Sequence, residues 1–180
     1  MEAEQFILGF IAGEGSFAIS VWERDSGKIH ARPFFKLGVD EQKIVREIYQ
    51  EAGEIGGLTE RQSGYLSWQV QSMDDVCNLR DWVNEHRGQW FNNCHKSEQF
   101  ELWSEAVDIH KQDTITDNDR KRLVDLSYQI PRSNTKKIDR EEWHQRIDDW
   151  EQHYCIATRD DGESCEMPVP EPDMLCHHHQ

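Results

Sequence analysis

Residues 6–17 read FILGFIAGEGSF, and their apolar side chains point to every side of a helix. A helix that is apolar all round has no face to give to water and has to be covered on all sides. The chain must therefore wrap this segment in its own core or press it against a second copy of itself. Gly9, Gly13 and Gly15 permit close backbone approach, at a cost in helix propensity. The run ends on one carboxylate, Glu14, at the helix end where the macrodipole favours cations. Something has to offset that charge, and a divalent metal is the candidate.

Downstream the pattern changes to alternation. FAISVWER (17–24) sets Phe17, Ile19 and Val21 on one side and Ala18, Ser20, Trp22 and Arg24 on the other. ARPFFKLGV (31–39) alternates likewise, and the DSGK between them is turn chemistry, so the two predict a hairpin. EQKIVREIYQEAG then places Ile44, Val45, Ile48 and Tyr49 at helical spacing, with Gly53 as its stop. A second hairpin follows, EIGGLTER then YLSWQVQS, with Leu66, Trp68 and Val70 inward and Tyr65, Ser67, Gln69 and Gln71 outward. Residues 73–87 predict a further helix that turns Val76, Leu79, Trp82 and Val83 inward.

The order α, ββ, α, ββ, α uses a helix-plus-hairpin unit twice. It predicts an α+β fold in which helices cover one face of a four-stranded antiparallel sheet. The other face stays open and carries Ser20, Trp22, Arg24, Arg32, Lys36, Tyr65, Ser67, Gln69 and Gln71, side-chain types that hydrogen-bond bases and phosphates. A merely solvated sheet face has a similar mixture, so alternation alone leaves both readings open.

A net charge of −15 argues against nucleic acid for the chain taken whole. The charge is unevenly spread: residues 120–137 hold six basic side chains against Asp125 alone, whereas 138–180 hold twelve acids against three arginines. Surplus acid with only eight lysines suits a salt-rich cytoplasm, or simply an acidic surface. No stretch nears the roughly 20 apolar residues of a membrane span. The start, MEAEQ, lacks the basic region of a signal peptide. A cytoplasmic protein with no membrane partner is expected.

Residues 7–15, Ile7-Leu8-Gly9-Phe10-Ile11-Ala12-Gly13-Glu14-Gly15, continued by Ser16-Phe17, resemble the nine-residue motif of the LAGLIDADG homing endonucleases. KLGV before the second helix, FNNCHKSEQFELWSEAVDIH (91–110) and TITDNDRKRLVDLSYQIPRSNTKK (114–137) are similar to further blocks of that family, in the same order. The resemblance covers residues 1–137 and implies an αββαββα fold whose open sheet binds double-stranded DNA. It also implies that Glu14, at the motif's eighth position, is the catalytic Mg²⁺ ligand. At the sixth position, where the family usually carries an acid, this chain has Ala12.

Only one such motif is present, so the resemblance implies a homodimer packed through Leu8, Gly9, Ile11, Ala12 and Gly13, with Glu14 and its symmetry mate side by side. By its place in the family-like block, Lys96 is the candidate for stabilising charge on the phosphate; a plain surface lysine is the other reading. Arg132, Lys136 and Lys137 are candidates for further DNA contact. The same fold could instead serve as a non-cleaving nucleic-acid-binding protein, such as an RNA-splicing helper or a regulator.

Residues 138–153 have Ile138, Trp143, Ile147 and Trp150 near helical spacing and read as a connecting helix. In the tail, 154–180, Cys155, Cys165, Cys176 and His179 are spaced C-x9-C-x10-C-x2-H. Three thiolates and an imidazole form a closed Zn²⁺ set, and a turn-rich loop with little core of its own suits wrapping on an ion. His177 or His178 could replace His179. A third reading makes this tail the business end of an interaction protein.

Overall fold

The computed structural model describes residues 3–61, 64–131 and 138–150, with 153–154, 157, 165, 168–169 and 176 from the tail. Helix α1 (Ala3–Glu14) leads into strands β1 (Ser16–Glu23) and β2 (Ile29–Val39). Helix α2 (Gln42–Glu51) separates them from β3 (Gly57–Glu60) and β4 (Leu66–Val70), and α3 (Met73–His86) follows. The four strands form one antiparallel sheet, as the alternation predicted, and their order is β1-β2-β4-β3. Helices α4 (Gln89–Asn92), α5 (His95–His110), α6 (Asp117–Gln129) and α7 (Arg140–Asp148) complete the main body, and β5 (His153–Tyr154) pairs with β6 (Pro168–Val169). Helix α4 and the β5–β6 pair were not anticipated, because elements of four and two residues show no hydrophobic period.

Alternate residues of the sheet (Phe17, Ile19, Phe35, Leu37, Leu66, Trp68 and Val70) build one face of the core against α1, α3 and α5. The Phe17 ring lies 5.1 to 5.3 Å from those of Phe35, Phe100 and Trp103. Both buried indoles satisfy their N–H groups, Trp68 on the Ile55 carbonyl at 2.6 Å and Trp103 on that of Phe34 at 3.0 Å.

Helix α1 is wrapped as its composition demands, but mostly by its own chain. Ile7, Leu8 and Ile11 are fully buried in the core and Ala12 packs against it. This corrects the expected interface: Leu8 and Ile11 face inward, and α1 leaves Phe6, Gly9 and Gly13 exposed, with Phe10 beside them half-buried against the core. Those positions follow i, i+3, i+4, i+7, one side of a helix.

The helix also runs further than expected, through Gly13 to Glu14, and Gly15 closes it by donating its N–H to the Ile11 carbonyl at 3.0 Å. A Cβ on Gly15 would stand 2.5 Å from that carbonyl oxygen and 2.9 Å from a Phe35 ring carbon. Gly15→Ala therefore has to push α1 away from β2. The expected loss is about 1–3 kcal/mol, read as a drop in thermal midpoint. An unchanged midpoint would show that the junction has slack.

Candidate nucleic-acid interface

Cross-strand register puts Ser16 beside Lys36, Ala18 beside Phe34, Ser20 beside Arg32 and Trp22 beside His30, all on the face away from the helices. Lys36 in turn lies beside Gln69 of β4. Ser20, Trp22, Arg32, Phe34, Lys36, Gln69 and Gln71 line a shallow concavity of about 510 Å³. Arg24 stands just beyond β1, in the turn to β2.

The cations on this face are free of acids. Arg46, Arg80, Arg87, Arg120, Arg122, Arg140 and Arg146 each form a salt bridge elsewhere on the surface. Among the described residues, Arg24, Arg32 and Lys36 form none. Arg24, Arg32 and Lys36 thus leave unneutralised positive charge on the open side of the sheet in an otherwise acidic chain.

Polar side chains across β4 are ordered into a relay. Gln71 donates to Gln69 at 2.8 Å, Gln69 to the Ser67 hydroxyl at 3.0 Å, and Ser67 to the Thr59 carbonyl at 3.3 Å. Ser67 is only 1% exposed, so it anchors the amides and offers nothing to a ligand, contrary to its expected place among the contacting residues. Tyr65 lies across Gly38, where a Cβ would meet its hydroxyl at 2.5 Å, and Arg61 stacks on its ring at 5.7 Å.

Two residues of this face were missed. Phe34 lines the concavity, and His30 stacks against exposed Trp22 with centroids 5.6 Å apart. Both share the parity of Arg32 and Lys36 along β2, so strict alternation carried the signal. Burial, reinforced by the positive field of Arg24, Lys28, Arg120 and His110, pushes the His30 pKa down to about 4. Its ring is therefore uncharged at neutral pH.

At one end of the sheet, α1 delivers Glu14 to the start of β1. The carboxylate is exposed, its helix has no basic residue in the last turn, and it forms no salt bridge among the described residues. Lys96, in the first turn of α5, is buried and donates to the Gly15 carbonyl at 2.7 Å. Burial lowers the Lys96 pKa, while the charges of Cys94 and Glu14 work against that shift. Lys96 is thus no surface lysine: the fold brings its ammonium from 81 residues away in sequence onto the Gly15 carbonyl, next in the chain to Glu14.

Arg132, Lys136, Lys137, Cys155 and His179 lie outside the described residues. Cys165 and Cys176 are both buried, with sulfurs 3.9 Å apart. Among the described residues no three His, Cys, Asp or Glu side chains gather as a metal-binding group, and no helix is long and apolar enough to cross a membrane.

Comparison with known proteins places this arrangement. Residues 7–107 match the family described as LAGLIDADG endonuclease, and the chain belongs to that family. No curated protein sequence matches it. Among solved structures it is similar to the archaeal intron-encoded homing endonuclease I-Vdi141I complexed with DNA, at 25% identity and a TM-score of 0.72 over 82% of this chain and 95% of that one. It shares its fold with the homing endonuclease I-TnaI (11% identity, TM-score 0.65, 82% of this chain and 97% of that one). It shares it also with I-CvuI, solved on DNA in the presence of Mg with the DNA not cleaved (13% identity, TM-score 0.66, 81% and 92% covered).

Proposed function

We propose that this chain is a site-specific double-stranded DNA endonuclease that acts as a homodimer and requires a divalent metal, with Mg²⁺ as the ion. The observation that carries this reading is continuity: the open, cation-bearing sheet face runs directly into the corner that holds Glu14 and Lys96. A strand rises about 3.4 Å per residue, close to the spacing of about 3.4 Å between base pairs. Laid along the groove, β1 and β2 would advance about one base pair per residue outward from that corner. The DNA-bound relatives support the same use.

An exposed carboxylate beside the carbonyl end of a helix presents hard oxygen donors at a negative dipole terminus, which fits Mg²⁺. When bound there, such an ion polarises a phosphate and activates a water. Glu14 supplies the charge that retains the cation. Lys96, pinned by the Gly15 carbonyl, holds an amine next to it, where negative charge builds on the scissile phosphate. Arg24, Arg32 and Lys36 take phosphate oxygens, while Ser20, Trp22, Gln69 and Gln71 face base edges. Arg132, Lys136 and Lys137 extend the basic contact.

Two copies meet through exposed Phe6, Gly9 and Gly13 and half-buried Phe10 of α1, which brings two Glu14 carboxylates to the two-fold axis. Residues 1–137 make up the nuclease unit, 138–153 the connector and 154–180 the tail. A supercoiled plasmid library carrying randomised inserts, incubated with Mg²⁺ over a wide KCl range to suit a salt-rich cytoplasm, should be linearised in the few clones that share a sequence. Binding without cutting at every salt and metal would instead favour a recognition-only protein.

The tail holds Zn²⁺ through Cys155, Cys165, Cys176 and His179. Two thiolates at about 2.3 Å from a tetrahedral ion stand about 3.8 Å apart, and the 3.9 Å between the Cys165 and Cys176 sulfurs supports that reading. Elemental analysis of reduced protein should find one zinc per chain, lost in Cys165→Ser and in Cys176→Ser. A wild-type protein without zinc contradicts the site.

A further inference from the structure

The tip of the β1–β2 hairpin is a two-stranded ribbon. Strand β2 pairs with β4 only from Phe35 to Val39, while Ile29–Phe34 pair with β1 alone. A two-stranded ribbon is marginal in water on its own, and this one depends on what packs beneath it, where Ile29 and Ala31 are buried. Yet this part of the sheet carries Trp22, Arg32 and, in the turn, Arg24.

The ribbon is clasped from the chain's far end. Trp150, just past α7, donates its indole N–H to the Ser26 carbonyl at 3.0 Å. Its Cδ1 lies 3.5 Å from where a Gly27 Cβ would stand, and Gly27 has φ +75°, so the ring rests on a turn that needs glycine. The Lys28 ammonium sits 4.8 Å over the same ring. One turn earlier Arg146 pairs with Glu23 at 2.5 Å, and Trp143 and Ile147 pack with Ile29 of β2 and Val124 of α6. Helix α7 is itself tied to α6 by Lys121–Asp148 at 2.5 Å and His144–Asp125 at 2.9 Å. The clasp thus joins the hairpin tip to the body of the fold.

We infer that Trp150 is a positioning residue for DNA recognition: by capping the β1–β2 turn it holds Trp22 against the outermost base pairs of each half-site and Arg24 against the phosphates beside them. This rests on the DNA reading above. Trp150 touches backbone and Lys28 rather than any proposed base-contacting side chain, so its effect on recognition passes through the placement of the ribbon.

The test compares full-length wild type with Trp150→Ala and Trp150→Phe, the latter keeping a ring but losing the indole donor. Each is used to select binding sites from a DNA duplex library randomised end to end, and amide hydrogen exchange is followed in the free proteins. Trp150→Ala should select the same central sequence with about tenfold less discrimination at both outer ends. Its Arg24 and Gly27 amides should exchange at least about tenfold faster while those of Phe35 and Trp68 keep their rates. Trp150→Phe should fall between, and it carries the test if the alanine variant does not fold. A variant motif intact to its ends, or one weakened uniformly, overturns the inference alone. A wild type that selects no sequence overturns the DNA reading and this inference with it.

Discussion

Glu14→Gln should abolish strand cleavage while DNA affinity holds or rises. The amide keeps the size and hydrogen-bonding shape of the carboxylate but removes the charge that retains the cation. The expected loss is on the order of 10³-fold in rate, or about 4 kcal/mol of transition-state stabilisation. Misfolding will not mimic this result, because Glu14 is exposed and forms no salt bridge among the described residues. Removing a negative charge from the C-terminal end of α1 should even raise stability by about 0.3–1 kcal/mol. Losing the Glu14 charge also removes one influence that holds up the Lys96 pKa, which should fall further. A variant that melts slightly higher, binds DNA and does not cut is the expected combination. Cutting that persists undiminished places the chemistry elsewhere.

Gly9→Leu should prevent the proposed dimer and leave the subunit folded. Gly9 is exposed and a Cβ there meets nothing within 4 Å in the single chain, so a side chain leaves the helix into open space. Replacing glycine in mid-helix gains close to 1 kcal/mol of helix propensity, so the isolated subunit should be slightly stabilised. Between two α1 helices the same side chain forces the backbones apart along the strip of Phe6, Gly9, Phe10 and Gly13. Sedimentation should then show a monomer, and cleavage should fall with it, since two acids no longer meet. A Gly9→Leu protein that remains dimeric would move the interface to another surface.

The strand pattern was legible because period-two alternation is strong in FAISVWER and ARPFFKLGV, and each strand set one face into the core. The same parity along β2 places His30 and Phe34 on the open face with Arg32 and Lys36. Four features were hidden for physical reasons. An apolar-all-round helix does not say which side its own chain will cover, and Leu8 and Ile11, expected at a partner, lie in the core. A serine on an outward parity reads as accessible, whereas Ser67 is buried under the amide relay from Gln69 and Gln71. The hold of Lys96 on the Gly15 carbonyl is a tertiary contact with no local signature, and neither has the grip of Trp150 on the Ser26 carbonyl, which spans 124 residues.

The most direct measurement is to map the DNA ends that wild-type protein leaves on a target recovered from the randomised library, with Mg²⁺ and with a chelator. A two-fold dimer with one Glu14 per subunit predicts one cut in each strand, placed symmetrically about the centre of a near-palindromic site, and no cut when the metal is removed. Intact strands under a bound protein, or cuts without symmetry that survive chelation, would contradict it.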